Sequence, residues 1–244
     1  MEERRLICRG QWRWLIVLLC LWFAPIHKST AQRERVKHQP YSDLKTYYLG
    51  FNVGLHTQDL RISNSGFVTP EGQALFADVP HYRPGFSVGV MAGRVLIPGL
   101  ELRLNPSLHF GDKPIAYSDG VKKVAEFGQR ATYISLPLML KYAALRLNNV
   151  RPYVGAGVYT ALSLGGKRED VVRLRALDYG LSLSLGCDFY LRYFKLSPEL
   201  SFSYGLTNVI QTNRPELAED KRLYYTQAIR SGQNRMIALT FYFQ

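Results

Sequence analysis

Cysteines and long apolar runs are both scarce in this chain of 244 residues. Of its three cysteines, Cys8 and Cys20 fall within an N-terminal leader, so Cys187 alone would remain after processing and no internal disulfide could form. Beyond residue 24, no apolar run approaches the roughly 18 to 20 residues that a membrane-spanning helix needs. These absences exclude a disulfide-stapled domain and a multi-span helical membrane protein.

The N-terminus carries the pattern of a secretory signal peptide over residues 1–31. A basic leader precedes an apolar stretch, Trp14–Ala24, and a run of small residues ends at Ala31. The apolar stretch is too short to remain as a permanent anchor. We therefore predict cleavage between Ala31 and Gln32, followed by a polar periplasmic arm over 32–46.

Basic residues outnumber acidic residues by 31 to 19, which gives a formal net charge of +12. Loss of the leader removes five basic and two acidic side chains, so the mature chain keeps a charge of +9. A basic balance is also seen in proteins that bind nucleic acid, but an exported protein rarely meets any. We expect outer-membrane lipid, anionic lipopolysaccharide or an acidic protein as partner, and no nucleic acid.

A hydrophobic content of 47% excludes a disordered chain, and it conceals a strict alternation of apolar and polar residues. In the segment from Leu100 to Phe110, the even positions are apolar, four of them leucine, and the odd positions are charged or polar, as at Glu101 and Arg103. A period of two indicates a strand, because successive side chains point to opposite faces. Eight segments share this pattern: Tyr47–Gln58, Phe86–Val95, Leu100–Phe110, Arg130–Ala143, Arg151–Leu164, Asp178–Tyr190, Lys195–Leu206 and Arg235–Phe243.

Segment length and connection length together predict a membrane barrel over 47–244. Most of the segments reach the roughly 9 to 11 residues with which a tilted strand crosses a bilayer. Short and long connections alternate strictly, as in outer-membrane barrels with short periplasmic turns and long extracellular loops. We predict an all-β, eight-stranded antiparallel up-and-down transmembrane barrel in a Gram-negative outer membrane, with both termini periplasmic. Aromatic residues at the strand ends would form its interfacial girdle: Tyr47, Tyr48, Tyr142, Tyr190, Tyr193, Phe194, Tyr242 and Phe243.

The inward face of the predicted barrel carries charges. Eight strands leave an interior that side chains just fill, so we expect no aqueous channel. Inward glycines beside Tyr153 and Tyr159 would leave room for those rings. A hydrogen-bonded plug is favoured over an ion or proton path, because buried charges are usually paired. The predicted polar cluster of the lumen comprises Glu101, Arg103, Lys141, Asp188 and Glu199.

Two further features of the strands call for an explanation. Pro137 lies inside a strand although it cannot donate to the ladder, and we predict a β-bulge there. Ser107 and His109 share the luminal face and raise the alternative of a lipid-modifying enzyme, but a lipid ester would lie on the outer wall. We therefore predict no catalytic residue, no metal ligand, no cofactor and no small-molecule substrate.

Four long loops carry what remains of the chain. They mix charges of both signs with interleaved apolar residues, which solvent alone would not favour. Folded loops and a protein contact both explain this composition, and the sequence leaves the choice open. The loops span Leu60–Arg83, Gly111–Gln129, Gly165–Ala176 and Thr207–Asn234.

Several strand motifs resemble those of a known family. They match the small outer-membrane β-barrel family, and the whole chain in its length, leader, arm and loops resembles the PorT family of the type IX (Por) secretion system. The motifs are Tyr133–Tyr142, Arg151–Gly157, Asp178–Leu181, Leu196–Leu200 and Tyr204–Asn208.

The resemblance implies a non-enzymatic integral outer-membrane component. It would be needed to export and mature cargo that bears a C-terminal secretion domain, including secreted cysteine proteinases, and would contact other secretion-system proteins. A filled barrel cannot conduct a folded cargo, so such a role would be accessory. A stand-alone structural or adhesive barrel and an outer-membrane lipid-modifying enzyme are the two alternatives.

Overall fold

The computed structural model describes residues 36–42, 45–69, 72, 74–80, 83–119, 122–130, 132–164, 174–211 and 222–244. The chain divides into a unit at Met1–Val36 and a second unit at Lys37–Gln244, to which nearly all the described residues belong. The predicted signal peptide and its cleavage site at Ala31 and Gln32 lie outside the described residues. No helix in the described ranges is long and apolar enough to cross a membrane.

Within these ranges the chain forms twelve strands and a short helix. The elements are β1 (Tyr47–Asn64), β2 (Phe76–Asp78), β3 (Pro84–Ile97), β4 (Leu100–Leu104), β5 (Ser107–Phe110), β6 (Asp112–Ser118), β7 (Lys123–Arg130), β8 (Tyr133–Ala143), β9 (Val150–Ser163), β10 (Leu177–Tyr190), β11 (Lys195–Gly205), α1 (Arg222–Gln227) and β12 (Ile229–Phe243).

Nine of the strands close into a ring in the order β1-β12-β11-β10-β9-β8-β4-β3-β5, and β1 also pairs with β3. Because β4 and β5 follow one another between the same two neighbours, β3 and β8, they act as one interrupted strand. The ring therefore has eight strand positions, seven single strands and the β4–β5 pair, all paired antiparallel. We call each of these eight positions a stave. This confirms the predicted fold class, and the structure adds that β1 and β12 each extend about six residues beyond the predicted segments.

Pro137 lies in β8 opposite the interruption between β4 and β5. The predicted β-bulge is wrong, because β8 keeps one continuous register with β4, β5 and β9. Asn105 donates its N–H to the Pro137 carbonyl at 3.2 Å, but proline has no N–H to return. The Ser107 hydroxyl instead donates to the Asn105 carbonyl at 3.2 Å. A side-chain hydrogen bond thus replaces the missing ladder bond.

The alternating apolar and polar residues of each strand lie on opposite faces of the wall, one towards the outside and one towards the lumen. Along β10, Leu183 is 59% exposed on the outside, whereas its neighbour Ser184 is only 7% exposed and faces the lumen. The same contrast runs around the ring, from Leu49 and Val53 in β1 to Leu239 in β12. A continuous exposed apolar belt of this kind is typical of a wall that faces lipid.

The two ends of the ring differ in their connections. Three short connections, at 98–99, 144–149 and 191–194, lie at the same end as the start of β1 and the finish of β12, and we name this the turn end. The opposite end, which we name the loop end, carries the four long connections.

The loop end is folded wherever it is described. Strands β2, β6 and β7 form a separate three-stranded sheet, which we name the cap sheet, and it packs with the extended ends of β1 and β12. Its apolar core explains the interleaved apolar residues of the loops. Most of the third loop and the charged part of the fourth loop lie outside the described residues. The buried members of the core are Leu60, Leu75, Ala77, Ile115, Tyr117, Val209, Ile210, Ala228 and Ile229.

Part of the predicted arm lies against the turn end. The N–H of His38 donates to Oδ1 of Asn149 at 2.8 Å, and Nε2 of Gln39 donates to the carbonyl of Leu191 at 3.1 Å. The Arg146 guanidinium donates to the carbonyl of Gln39 at 3.4 Å and also contacts that of His38. Two of the short turns thereby hold the arm.

Candidate functional site

The five charged residues of the predicted cluster all lie inside the barrel. Each is at most 3% exposed, and they come from four staves, those of β4, β8, β10 and β11. Only the closed ring brings these staves face to face across the lumen. The structure connects all five residues into one network in the half of the lumen nearer the turn end.

Glu199 and Arg103 form the centre of this network. Their side chains make a direct, fully buried ion pair across the lumen. The hydroxyl of Tyr153 donates to Glu199 at 2.9 Å and that of Tyr242 at 3.3 Å. The guanidinium also lies over the Tyr242 ring, 4.5 Å from its centroid. Glu199 is thus compensated by charge and by hydrogen bonds, whereas Nη1 of Arg103 has no hydrogen-bond partner among the described residues, so the buried guanidinium depends on Glu199 and on the Tyr242 ring.

A second set of contacts surrounds Lys141. Its ammonium donates to Asp188 at 2.7 Å and lies 3.5 Å from a carboxylate oxygen of Glu101. Ser197 donates to the other oxygen of Asp188 at 2.6 Å. The ammonium is also 4.0 Å from the centroid of the Tyr153 ring, which lies against both sets of charges and joins them.

Sequence reasoning missed three members of the network. Lys195 lies 3.6 Å from Asp188, Arg151 lies 3.7 Å from Glu101, and the Tyr48 hydroxyl donates to Glu101 at 2.7 Å. The signal was present, because all three follow the inward parity of their strands. The girdle prediction is wrong for three of its tyrosines. Tyr48 and Tyr242 donate to Glu101 and Glu199 inside the barrel, and Tyr190 is only 2% exposed, so these rings do not face lipid.

Glycines make room for the tyrosines of the network. A Cβ atom built on Gly186 would come within 2.4 Å of the Tyr153 ring, and one on Gly93 within 2.0 Å of the Tyr48 ring. Atoms cannot approach so closely, so only glycine permits these rings to lie flat against the opposing strand. Gly186 and Gly93 are therefore needed for the packing of the network, although they contribute no polar side chain to it.

The half of the lumen nearer the loop end holds a cavity of about 90 Å³, lined by uncharged side chains together with the charged residues Lys113, Arg175, Asp178, Glu199 and Arg235. His109 contacts the hydroxyl of Ser135 at 2.8 Å, not that of Ser107, which donates to Asn105 and lies 3.4 Å from Asn52. Nδ1 of His109 has no hydrogen-bond partner among the described residues. A serine nucleophile needs a base that is itself oriented by a third group, and this arrangement lacks one in the described residues.

Lys113 closes the lumen at the loop end. It extends from β6 of the cap sheet, is buried, and donates to Oδ1 of Asn234 at 2.6 Å. Asn234 in turn donates to Asp178 at 2.8 Å. Burial lowers the pKa of the Lys113 ammonium to about 8, while the carboxylates of Asp178 and Asp59 act in the opposite direction. The cap sheet is thereby fastened to the barrel mouth by a buried amine.

In the described part of the chain, no group of three or more histidine, cysteine or carboxylate side chains is placed to hold a metal ion. What the network can do chemically is to fix the strands relative to one another and to block the lumen. Each ion pair of the network joins charges from different staves: Arg103 with Glu199, and Lys141 with Asp188 and Glu101.

Comparison with known families identifies the wall. Residues 30–211 match the family described as the outer membrane protein beta-barrel domain. The chain belongs to this family. As a member of it, the protein is an integral outer-membrane β-barrel, and its exposed apolar belt is the surface that meets lipid. The ionic network accordingly lies within the membrane-spanning part of an outer-membrane barrel.

Solved structures similar to this outer-membrane barrel include a neisserial surface protein and an outer membrane protein of Pseudomonas aeruginosa. Neisserial surface protein A is 14% identical, with a TM-score of 0.43, over 81% of this chain and 98% of its own. OprG from Pseudomonas aeruginosa is 13% identical, with a TM-score of 0.46, over 87% of this chain and 96% of its own. No curated protein matches the chain significantly. Similarity at this level carries no argument about activity.

Proposed function

We propose that this outer-membrane barrel is a non-enzymatic accessory component of the type IX (Por) secretion system, of the PorT type. It would be needed to export and mature cargo with a C-terminal secretion domain, such as secreted cysteine proteinases. The resemblance of its strand motifs to that family is the source of the proposal. The turn end and both termini would face the periplasm, and the cap sheet would face the exterior.

The buried ion pair between Arg103 and Glu199 carries the accessory part of this proposal. It crosses the lumen together with the tyrosines that hydrogen-bond to Glu199. A lumen blocked in this way cannot pass a folded protein. Contacts with other secretion proteins must then use the cap sheet, the arm held at the turn end, or the lipid-facing wall, where lipopolysaccharide is also expected to bind.

Deletion of the gene tests the proposal directly. Cargo with a C-terminal secretion domain should accumulate unprocessed in the periplasm, and the full chain supplied from a plasmid should restore its surface display. Normal processing and display of cargo in the deletion strain would overturn the proposal. If the cargo is instead retained in the deletion strain, crosslinking of the intact outer membrane and identification of the copurified proteins would show which secretion component the barrel contacts.

The folded cap sheet favours a second candidate, a stand-alone structural or adhesive barrel. An ordered apolar core beneath the loops can present a constant surface to host or matrix molecules. Replacing residues 111–131 with a short Gly-Ser linker removes β6 and β7 without touching the ring. Loss of host or matrix binding with intact cargo export would favour adhesion, whereas loss of export with an inserted barrel would favour the secretion role.

A further inference from the structure

Small inward side chains create the cavity of about 90 Å³ in the half of the lumen nearer the loop end. Side chains usually just fill the interior of an eight-stranded barrel, and the ionic network does so in the other half. Around the cavity, serine and alanine recur at inward positions of the strands, as at Ser87, Ser182 and Ala238. From the space that one buried water needs, a cavity of this volume accommodates about six water-sized groups.

Three side chains that line this cavity carry a buried polar atom with no hydrogen-bond partner among the described residues. These atoms are Nδ2 of Asn52, Oε1 of Gln58 and Nδ1 of His109, and each residue is at most 6% exposed. Other polar atoms of the same side chains are engaged: Oδ1 of Asn52 accepts from Ser107 at 3.4 Å, and Nε2 of Gln58 contacts Nε2 of His56 at 2.8 Å. A buried polar atom without a partner is costly, so these three atoms point to a bound molecule that supplies one.

Two glycines of β3 bring the side chains of β1 and β5 together beside the cavity. A Cβ atom built on Gly85 would lie 2.6 Å from Nε2 of His56, and one on Gly89 would lie 2.3 Å from Oγ of Ser107. Only glycine leaves room for these contacts across β3. The His56 ring accordingly packs edge-on against the His109 ring, with 5.1 Å between their centroids. The three unpaired atoms are therefore gathered on the side of the cavity that β1 and β5 form.

The chemistry of the three unpaired atoms limits the kind of molecule that they bind. The amide nitrogen of Asn52 can only donate a hydrogen bond, the amide oxygen of Gln58 can only accept one, and Nδ1 of His109 does either according to its tautomer. A simple anion has no hydrogen to offer Gln58, and a cation such as ammonium has no lone pair to offer Asn52. A hydroxyl group both donates and accepts through a single oxygen atom. A molecule with several hydroxyl groups can therefore satisfy all three atoms.

We propose that this cavity binds a small neutral polyol of the size of glycerol, through Asn52, Gln58 and His109. The barrel holds this compound as a ligand and does not transform it. The volume of about 90 Å³ is too small for a hexose, and the serine hydroxyls of the wall supply further hydrogen-bond partners. Water presents the same hydroxyl chemistry without the carbon chain, and the experiment distinguishes the two sources. The proposal does not depend on a role in secretion.

The test uses full-length mature protein in detergent micelles, titrated with isotope-labelled glycerol and followed by nuclear magnetic resonance. The side-chain amide protons of Asn52 are the reporter, because they are carried by one of the unpaired atoms. We expect a saturable nuclear Overhauser contact between these protons and the carbon-bound protons of glycerol. Saturation transfer should show an affinity for glycerol at least tenfold lower in both Asn52→Leu and His109→Phe, and propanol should bind the natural protein at least tenfold more weakly than glycerol. Ser184→Ala is the matched control, because that inward hydroxyl is also buried and unpaired among the described residues but is not one of those that line the cavity.

The comparison of variants and ligands decides between the possible results. Glycerol that binds Asn52→Leu and His109→Phe as tightly as Ser184→Ala overturns the proposal. Equal affinity for propanol overturns it too, because the additional hydroxyl groups would then contribute nothing. Contact of the Asn52 amide protons with water, and none with glycerol, overturns the polyol as ligand and assigns the site to water. Contact with neither overturns the site itself, and this result is read on the natural protein. Compact migration of each unboiled variant on detergent gels verifies that it is folded.

Discussion

Individual side chains in this barrel contribute through partners on other strands. Glu199 in β11 is stabilised by Arg103 from β4, Tyr153 from β9 and Tyr242 from β12. Removing Arg103 would leave the carboxylate buried without a counter-charge, and removing the carboxylate would do the same to the guanidinium. Either change lowers the free energy of unfolding. Single substitutions in the network should therefore have large effects.

We expect Glu199→Gln to lower the free energy of unfolding by about 3 to 5 kcal/mol, because it leaves the Arg103 guanidinium buried without a counter-charge. The band shift of the unboiled protein across a urea series in phospholipid vesicles measures this. Glu126→Gln is the matched control, since its ion pair with Lys123 is exposed on β7, and its cost should stay below about 1 kcal/mol. Similar costs for the two variants would contradict the prediction.

Gly186→Ala should destabilise the barrel by about 1 to 3 kcal/mol, because the new methyl group would overlap the Tyr153 ring and displace its hydroxyl from Glu199. The same urea series measures the effect. The control is Gly128→Ala in β7, where no atom lies within 4 Å of the new Cβ, so a change of about 0.5 kcal/mol or less is expected. An unchanged urea midpoint for Gly186→Ala would mean that Tyr153 can move without a loss of stability, and it would contradict the prediction.

Whole elements separate into those that build the ring and those that close its loop end. The cap sheet is hydrogen-bonded within itself, and it meets the barrel through an apolar core and through Lys113. A lysine buried at such a junction is sensitive to pH, because its charged form is poorly solvated there.

The buried ammonium of Lys113 predicts how the free energy of unfolding depends on pH. Its pKa in the folded protein is about 8, below the ordinary 10.5, so between these values the unfolded chain binds a proton that the folded chain does not. Stability should therefore rise with pH across this window through Lys113. Urea midpoints at pH 7.5 and 10 should show a smaller rise in Lys113→Met than in the natural protein. Lys123→Met, which removes an exposed cation from β7, should keep the full rise.

At the scale of the molecule, the described strands of the second unit form a closed wall whose interior is blocked by the ionic network and keeps a cavity of about 90 Å³ towards the loop end. Closure depends on the pairing of β1 with β12, the first and last strands of the ring, whose register places Leu55 opposite Leu239. No other pair in the ring joins residues so distant in the chain. Because the ionic network blocks the lumen, the surfaces open to a protein partner are the two ends and the outer wall.

Ring closure can be tested with thiol crosslinking. Leu55→Cys with Leu239→Cys, in a Cys187→Ser background, should crosslink within the folded monomer through a short bis-maleimide, because opposed Cβ atoms in paired strands lie about 4.5 to 5.5 Å apart. The product is read as a gel band that persists under reducing conditions. Leu55→Cys with Leu185→Cys places the second thiol on β10 and should not crosslink. The reverse pattern would exclude the β1–β12 pairing.

Much of this architecture could be predicted from alternation alone. The period of two separates the two faces of each strand, so the inward placement of Asp188 and Glu199 and the outward placement of Leu183 follow from parity. Loop lengths add the antiparallel order. Pro137 was misread because the sequence does not show which residue lies opposite a given position, and the compensating hydroxyl belongs to Ser107 on another strand.

The sequence by itself determined the number of staves, their two faces and the family. Tertiary structure alone decided which inward charges meet: Arg103 with Glu199 across 96 positions, Lys141 with Asp188 across 47, and Lys195 with Asp188 on the neighbouring strand. The physical reason is that alternation is a local property of a strand. The partner of a buried charge depends instead on the shear and closure of the whole ring, which no single segment encodes.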